Sequence, residues 1–322
     1  MFVNATIVIV IISVLLEIYL FFNFKRFIKS KFILFTIIGI WLLIIGNFGY
    51  NMIFFDRNIG QTQTTMWATG LFMLFGFPRI ILFLVFLIQD IFRGFGWIFN
   101  RITNTKSTED SYLPSRRKFV MISGLSIASI PFLGLLHGMT LGKYNYKVIK
   151  KKLAYNRLPK SFDGFKVLHI TDIHSGSLDN REKIVEAVDL INQQEFDILL
   201  FTGDIVNNFH WEMDRWINVF SKIKKAPYGN YAVLGNHDYG EYTDWKSEED
   251  KQDNFEKIKA IFPQIGMELL LNENRFIEID GEKIAIVGVQ NWGTRFKKLG
   301  DLEEASKDVS LNDFKILMSH DP

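Results

Sequence analysis

The 322-residue chain has no cysteine, only 7 prolines and 6 histidines, and a formal net charge of just +2. Without cysteine there is no disulfide, no thiolate zinc site and no thiol nucleophile, so any metal must be held by imidazole, carboxylate, amide or water. So few histidines make each one informative. With 48% apolar residues, 31 of the total being Phe, a disordered or collagen-like chain is excluded. The small net charge conceals a split. Residues 1–142 carry 12 Lys and Arg against 5 Asp and Glu (+7), whereas residues 143–322 carry 25 against 30 (−5). Because the basic excess lies between apolar stretches and the soluble half is acidic, the chain does not read as a nucleic-acid binder.

A bilayer core needs about 20 apolar residues in a helix. Residues 3–22 and 32–55 meet that length with hardly a charge, and 67–88 does so despite Pro78 and Arg79. Residues 119–141 carry no charged residue but are diluted by Gly, Ser, Pro131 and His137. The expectation is a transmembrane region of about four helices over residues 1–142, a multi-pass protein whose first partner is the lipid bilayer. Lys25, Arg26, Lys29 and Lys31 crowd the first connection, the second has only Arg57, and the third has Arg93, Arg101, Lys106, Arg116, Arg117 and Lys118. Cytoplasmic loops collect Lys and Arg, so connections one and three belong inside, and the soluble half belongs on the extracytoplasmic face. Lys143, Lys147, Lys150, Lys151 and Lys152 vote the other way. The stretch Ser115-Arg116-Arg117-Lys118-Phe119 reads as the basic flank of the fourth span, and in form it also resembles a twin-arginine export signal. At ~1.5 Å per residue, Glu17 lies about 21 Å in from Val3 and Arg79 about 18 Å in from Trp67 on helices running the same way, so the two either pair or snorkel separately.

Residues 143–162 form a linker or edge strand. From 163 onward, short apolar runs alternate with helical periodicity: strands near 165–170, 197–201, 231–234, 283–289 and 315–318, and helices marked by Ile184, Ala187, Val188 and Ile191, by Met213, Trp216, Ile217 and Phe220, and by Phe255, Ile258 and Ile261. The acidic stretch 241–253 reads as a solvated loop. Alternation of strand and helix argues for an α/β domain with a largely parallel sheet, whose ligands gather at the carboxyl ends of the strands.

Those ends carry Asp172-Ile173-His174, Gly203-Asp204, Gly235-Asn236-His237-Asp238 and Ser319-His320-Asp321. Such groups at one edge would repel or stay unpaired unless positive charge sat among them, and a metal pair is the economical answer. Asp172 and His174, one residue apart on an extended segment, can face one ion. Asp204, with two carboxylate oxygens, can bridge, and Asn236 and His320 offer a neutral oxygen and an imidazole nitrogen to a second ion. Gly203 and Gly235 let the backbone turn tightly there. His169, inside a strand, reads as a core or hydrogen-bonded histidine.

This set, with Val206, Asn207 and Pro322 extending two of the motifs, resembles the calcineurin-like metallophosphoesterases, and within them the membrane-anchored branch of transmembrane proteins with a metallophosphoesterase domain. The resemblance implies a two-sheet sandwich flanked by helices over residues 163–322. It also implies two divalent ions of the Mn, Fe or Zn type, held by Asp172, His174, Asp204, Asn236 and His320. His237 would meet the phosphate, with Asp238 holding it in orientation. The implied enzyme is a metal-dependent hydrolase of a phosphodiester, phosphomonoester or pyrophosphate bond in a phosphorylated small molecule or lipid. A catalytically impaired membrane receptor or scaffold on the same fold is the alternative. Members continue to a Gly-His-x-His element beyond the Ser-His-Asp-Pro segment, so the sequence is expected to be a fragment that binds metal weakly.

Overall fold

The computed structural model describes residues 2–103, 114–293 and 297–321. Two compact units result, Met1–Phe55 with Thr62–Tyr146, and Asp56–Gln61 with Lys147–Pro322.

The first unit holds four helices, α1 (Phe2–Phe24), α2 (Lys31–Ile53), α3 (Gln63–Thr103) and α4 (Pro114–Thr140). Each is long and apolar enough to cross a membrane. Large apolar side chains cover their outer surfaces, Leu43 and Phe92 among them, while Leu20, Leu34, Leu82 and Phe86 fill the interior. This is the inversion that a hydrocarbon solvent permits, since apolar side chains gain as little by leaving lipid as by entering it. Helix α3, at 41 residues, runs well past the span expected at 67–88 and continues through Pro78. Arg93 and Arg101, expected in a connection, therefore stand on helix, whereas Lys106 lies outside the described residues, as do the side chains of Arg116 and Arg117. Glu17 and Arg79 pair: Arg79 Nε donates to Glu17 Oε2 at 3.0 Å, with the two side chains only 12% and 4% exposed. Arg79 also donates to the Phe75 carbonyl and lies 4.4 Å from the centre of the Trp41 ring. One guanidinium thus joins α1, α2 and α3.

In the second unit, strands β1 (Val167–Ile170), β2 (Ile198–Phe201), β3 (Asn230–Ala232) and β4 (Glu268–Leu269) form a parallel sheet in the order β1-β2-β3-β4. Strands β5 (Glu273–Ile279), β6 (Glu282–Gly288) and β7 (Phe314–Met318) form a second sheet, antiparallel between β5 and β6 and parallel between β6 and β7. Strand β2 is buried at every position because both of its faces are covered, the case that makes a strand read as an unbroken apolar run. Ile198 and Leu200 face the second sheet through a core with Ile284, Ile286 and Met318. Leu199 and Phe201 face the helical layer, meeting residues of α5 (Arg181–Asn192) and α7 (Glu248–Lys259). The second unit is thus a helix-flanked pair of sheets, and the first a four-helix bundle.

Two local expectations fail. The segment around Met213 and Phe220 is a 3₁₀ turn followed by the four-residue α6 (Ile217–Phe220) rather than one helix, although its apolar positions are buried as the periodicity requires. The acidic stretch is not all loop: α7 starts at Glu248, where Ser247 accepts from the Asp250 amide and Glu248, Glu249 and Asp250 complement the positive helix start.

If Glu17 and Arg79 hold the bundle together as a pair, Glu17→Gln and Arg79→Gln each lower the melting temperature of detergent-purified protein. The double variant then loses less than the sum, by about 1–3 kcal/mol. Additive losses are the contrary result.

Candidate metal centre

Parallel pairing carries three strand ends to one edge, and backbone bonds continue the register beyond the strands. Asp172 N–H donates to the Gly203 carbonyl, His174 N–H to Asp204 and Ser175 N–H to Ile205, each at 3.0 Å. The loop after β1 is therefore laced to the loop after β2. The loops after β2 and β3 touch through two glycines. A Cβ on Gly203 would lie 2.3 Å from the Gly235 nitrogen, and one on Gly235 would lie 2.2 Å from Asp204 Oδ1, so both positions exclude any side chain.

Asp172, His174 and Asp204 adopt φ of 54°, 45° and 60°. Left-handed backbone costs a non-glycine residue about 1–2 kcal/mol and persists where surrounding bonds impose it. Asp172 and His174 thus leave the strand on a doubly reversed path, not on the extended segment that their spacing suggested. Their side chains still converge, with His174 Nε2 at 3.7 Å from Asp172 Oδ1.

Asp204 is 2% exposed and stands at the centre. Its Oδ2 lies 3.4 Å from both His174 Nε2 and His320 Nε2, and its Oδ1 accepts from the His237 backbone N–H at 2.9 Å. His320 Nε2 also lies 2.9 Å from Asn236 Oδ1, while its Nδ1 meets the Thr202 carbonyl at 2.7 Å. If Nδ1 donates to that carbonyl, Nε2 presents a lone pair to two oxygens that present lone pairs in turn. Only a proton or a cation reconciles three acceptors. Two triads of close donor atoms share the Asp204 carboxylate: Asp172, Asp204 and His320, and His174, Asp204 and His237, the atoms of each lying within 4.8 Å of one another. Imidazole, carboxylate and amide oxygen suit a divalent cation of the Mn, Fe or Zn kind, so the residues fit the expected metals.

The electrostatics agree with an acceptor-rich pocket. Burial alone would raise the Asp204 carboxyl, but bonds from His320 and from the His237 amide outweigh it and hold the group below the ordinary carboxylate range. The same bond to Asp204, against the opposing effect of burial, pushes His320 up to about 9. A proton favoured at that place and a cation would exclude one another.

Residues 165–322 match the family described as calcineurin-like phosphoesterase, and residues 3–143 match that described as the probable calcineurin-like phosphoesterase transmembrane domain. The chain belongs to the calcineurin-like phosphoesterases. It is 27% identical to the uncharacterized metallophosphoesterase YkoQ of Bacillus subtilis over 158 residues, 48% of this chain and 53% of that protein. It is 24% identical over 288 residues to an uncharacterized metallophosphoesterase of Helicobacter pylori, which covers 88% of this chain and 68% of the relative. A third relative, the transmembrane protein with metallophosphoesterase domain of Danio rerio, is 24% identical over 194 residues, 58% of this chain and 42% of that one. The chain spans about half the length of the Bacillus relative.

Within this phosphoesterase domain the structure brings Asp172, His174, Asp204, Asn236, His237 and His320 together. Asp172 stands near His174, at 3.7 Å, and in the triad with Asp204 and His320, while His174 also stands near His237. Asp238 does not meet the His237 ring. It is fully buried, and its carboxylate accepts from the backbone N–H groups of Asp204, Gly235, Ile205 and Val206 at 2.9–3.3 Å. It pins the Asp204 loop to the Gly235 loop. Burial first, then the Asp204 charge, pushes its carboxyl up to about 7, while the backbone donors pull it down. His237 is oriented instead by the Asn207 carbonyl, 2.7 Å from its Nδ1. His169 Nε2 is bonded to Thr202 Oγ1 at 2.8 Å, outside both triads.

Sequence reasoning missed two supporting residues. Glu212 accepts the Asn207 N–H at 2.5 Å, and burial pushes its carboxyl up against the pull of amides from Asn207, Phe209, Asn208 and Gly176. Tyr242 stacks on His237. Neither stands in a motif. Asp238→Asn turns an N–H₂ group toward backbone donors and is expected to destabilise the metal-free protein by about 2–4 kcal/mol in thermal unfolding. Gly235→Ala, by displacing Asp204, is expected to weaken Mn²⁺ binding at least about tenfold in a metal titration.

Proposed function

We propose that this chain is a membrane-anchored phosphoesterase whose centre takes two divalent ions, and that it hydrolyses a phosphodiester, phosphomonoester or pyrophosphate bond of a lipid-linked substrate. The observation that carries the reading is the Asp204 carboxylate, whose Oδ2 lies 3.4 Å from both His174 Nε2 and His320 Nε2. Asp172, His174, Asp204, Asn236 and His320 would hold the ions. When bound, such a pair supplies positive charge to phosphate oxygens and makes water acidic enough to act as a nucleophile near neutral pH.

His237 is the residue best placed to move a proton. With Nδ1 facing the Asn207 carbonyl at 2.7 Å, Nε2 is the ring nitrogen left to meet a substrate. Protonated, it donates to a phosphate oxygen, then gives the proton to the leaving oxygen as negative charge builds there. The stacked Tyr242 ring limits its rotation. Four helices able to span a bilayer keep the domain close to lipid phosphates, where effective concentration favours a lipid-linked substrate over a dilute soluble one. The Lys and Arg alternation of the connections supports an extracytoplasmic catalytic domain.

For the protein in detergent, assayed on a phosphomonoester and phosphodiester panel with metal analysis, His237→Ala is expected to lower kcat about 10²–10⁴-fold while metal content stays near two per chain. Loss of metal on that substitution would make His237 a ligand instead. Asp204→Asn is expected to remove both metal and activity, and retention of either sinks the shared-carboxylate reading. In right-side-out vesicles, added protease is expected to cleave the phosphoesterase domain; full protection places it in the cytoplasm.

A further inference from the structure

Tyr242 stands on the loop that follows Asn236, His237 and Asp238, after Gly240 turns the chain at φ +65°. It contacts two site residues at once. Its ring stacks on the His237 imidazole, with centroids 4.3 Å apart and planes 23° from parallel, and its hydroxyl oxygen accepts a hydrogen bond from Asn236 Nδ2 at 2.5 Å. The residue is itself anchored, since its backbone N–H donates to Asn208 Oδ1 at 3.2 Å.

A carboxamide has one end that can ligate a cation and one that repels it: Oδ1 carries lone pairs, Nδ2 carries two N–H donors. The ends are nearly equal in size, so packing alone does not choose between them. In Asn236 the oxygen faces His320 Nε2 at 2.9 Å, within the cluster that contains Asp204. The nitrogen faces the Tyr242 oxygen. Water on that side would satisfy the N–H₂ group but would not hold the plane of the amide, whereas a phenol braced by a ring stack and a backbone bond does.

We propose that Tyr242 is a positioning residue of the metal centre, its phenol oxygen holding the Asn236 carboxamide so that Oδ1 faces the cation position shared with His320 and Asp204. The inference rests on the two-ion reading above. It acts through Asn236, so its signature is a dependence on what occupies position 236.

The test is a double-substitution cycle on the full chain in detergent, stripped of metal and titrated with Mn²⁺, with free Mn²⁺ read by electron paramagnetic resonance. Tyr242→Phe keeps the ring against His237 and removes the hydroxyl that accepts from Asn236. It is expected to weaken one of two Mn²⁺ sites about 10–100-fold, the range for partners that orient a ligand, with the melting temperature of the metal-free protein unchanged. Asn236→Asp presents an oxygen in either orientation of the side chain. In that background Tyr242→Phe is expected to cost less than about twofold. No loss with Asn236 present, or an equal loss in both backgrounds, overturns the role assigned to Tyr242. A wild-type protein that binds no Mn²⁺ overturns the two-ion reading instead.

Discussion

A buried carboxylate with imidazole nitrogens on two sides of it governs this molecule. Asp204 is almost wholly removed from water, and His320, which meets its Oδ2, offers a lone pair of its own once its Nδ1–H is spent on the Thr202 carbonyl. Such an arrangement is unfavourable as it stands and favourable around positive charge. In the metal-free chain the bond to Asp204 favours a proton on His320. In a loaded phosphoesterase the positive charge would come from cations, and the two states compete for the same place.

Holding Asp204 there requires backbone that few residues tolerate. Three residues of the cluster are left-handed, two glycines touch where no Cβ fits, and Asp238 receives four backbone N–H groups. The strain and the clamp belong together. A left-handed Asp204 is stable only because the segment 204–206 is pinned from the neighbouring loop, and the clamp is possible only because Gly203 and Gly235 bring the two loops into contact. The parallel sheet beneath supplies the rigidity, with β2 buried on both faces.

The helical unit solves a similar electrostatic problem in a different solvent. Arg79 is matched by Glu17 and lies against the Trp41 ring, so its charge is compensated from two other helices. In hydrocarbon an unmatched guanidinium is expensive, and pairing it makes the polar residues a source of specificity for which helices adjoin.

Much of this was legible in order and kind from residues alone. The apolar lengths of α1, α2 and α4, the α/β alternation and the convergence of Asp172, His174, Asp204 and Asn236 follow from periodicity and from the rule that parallel strands end at one edge, whereas His320 reaches them from β7 of the second sheet. Those are properties of composition and spacing, which local chemistry and chain direction decide. Other features depend on contacts between residues far apart in sequence. Asp172 and His174 reach the cluster on left-handed backbone, Asp238 serves the backbone rather than the His237 ring, and Tyr242 completes a site from a loop with no motif. Spacing along a chain cannot reveal which way a side chain turns once the backbone enters the left-handed region, nor which of two loops supplies a hydrogen-bond partner. Those choices are made by the packing of one loop on another, and so they belong to the tertiary structure.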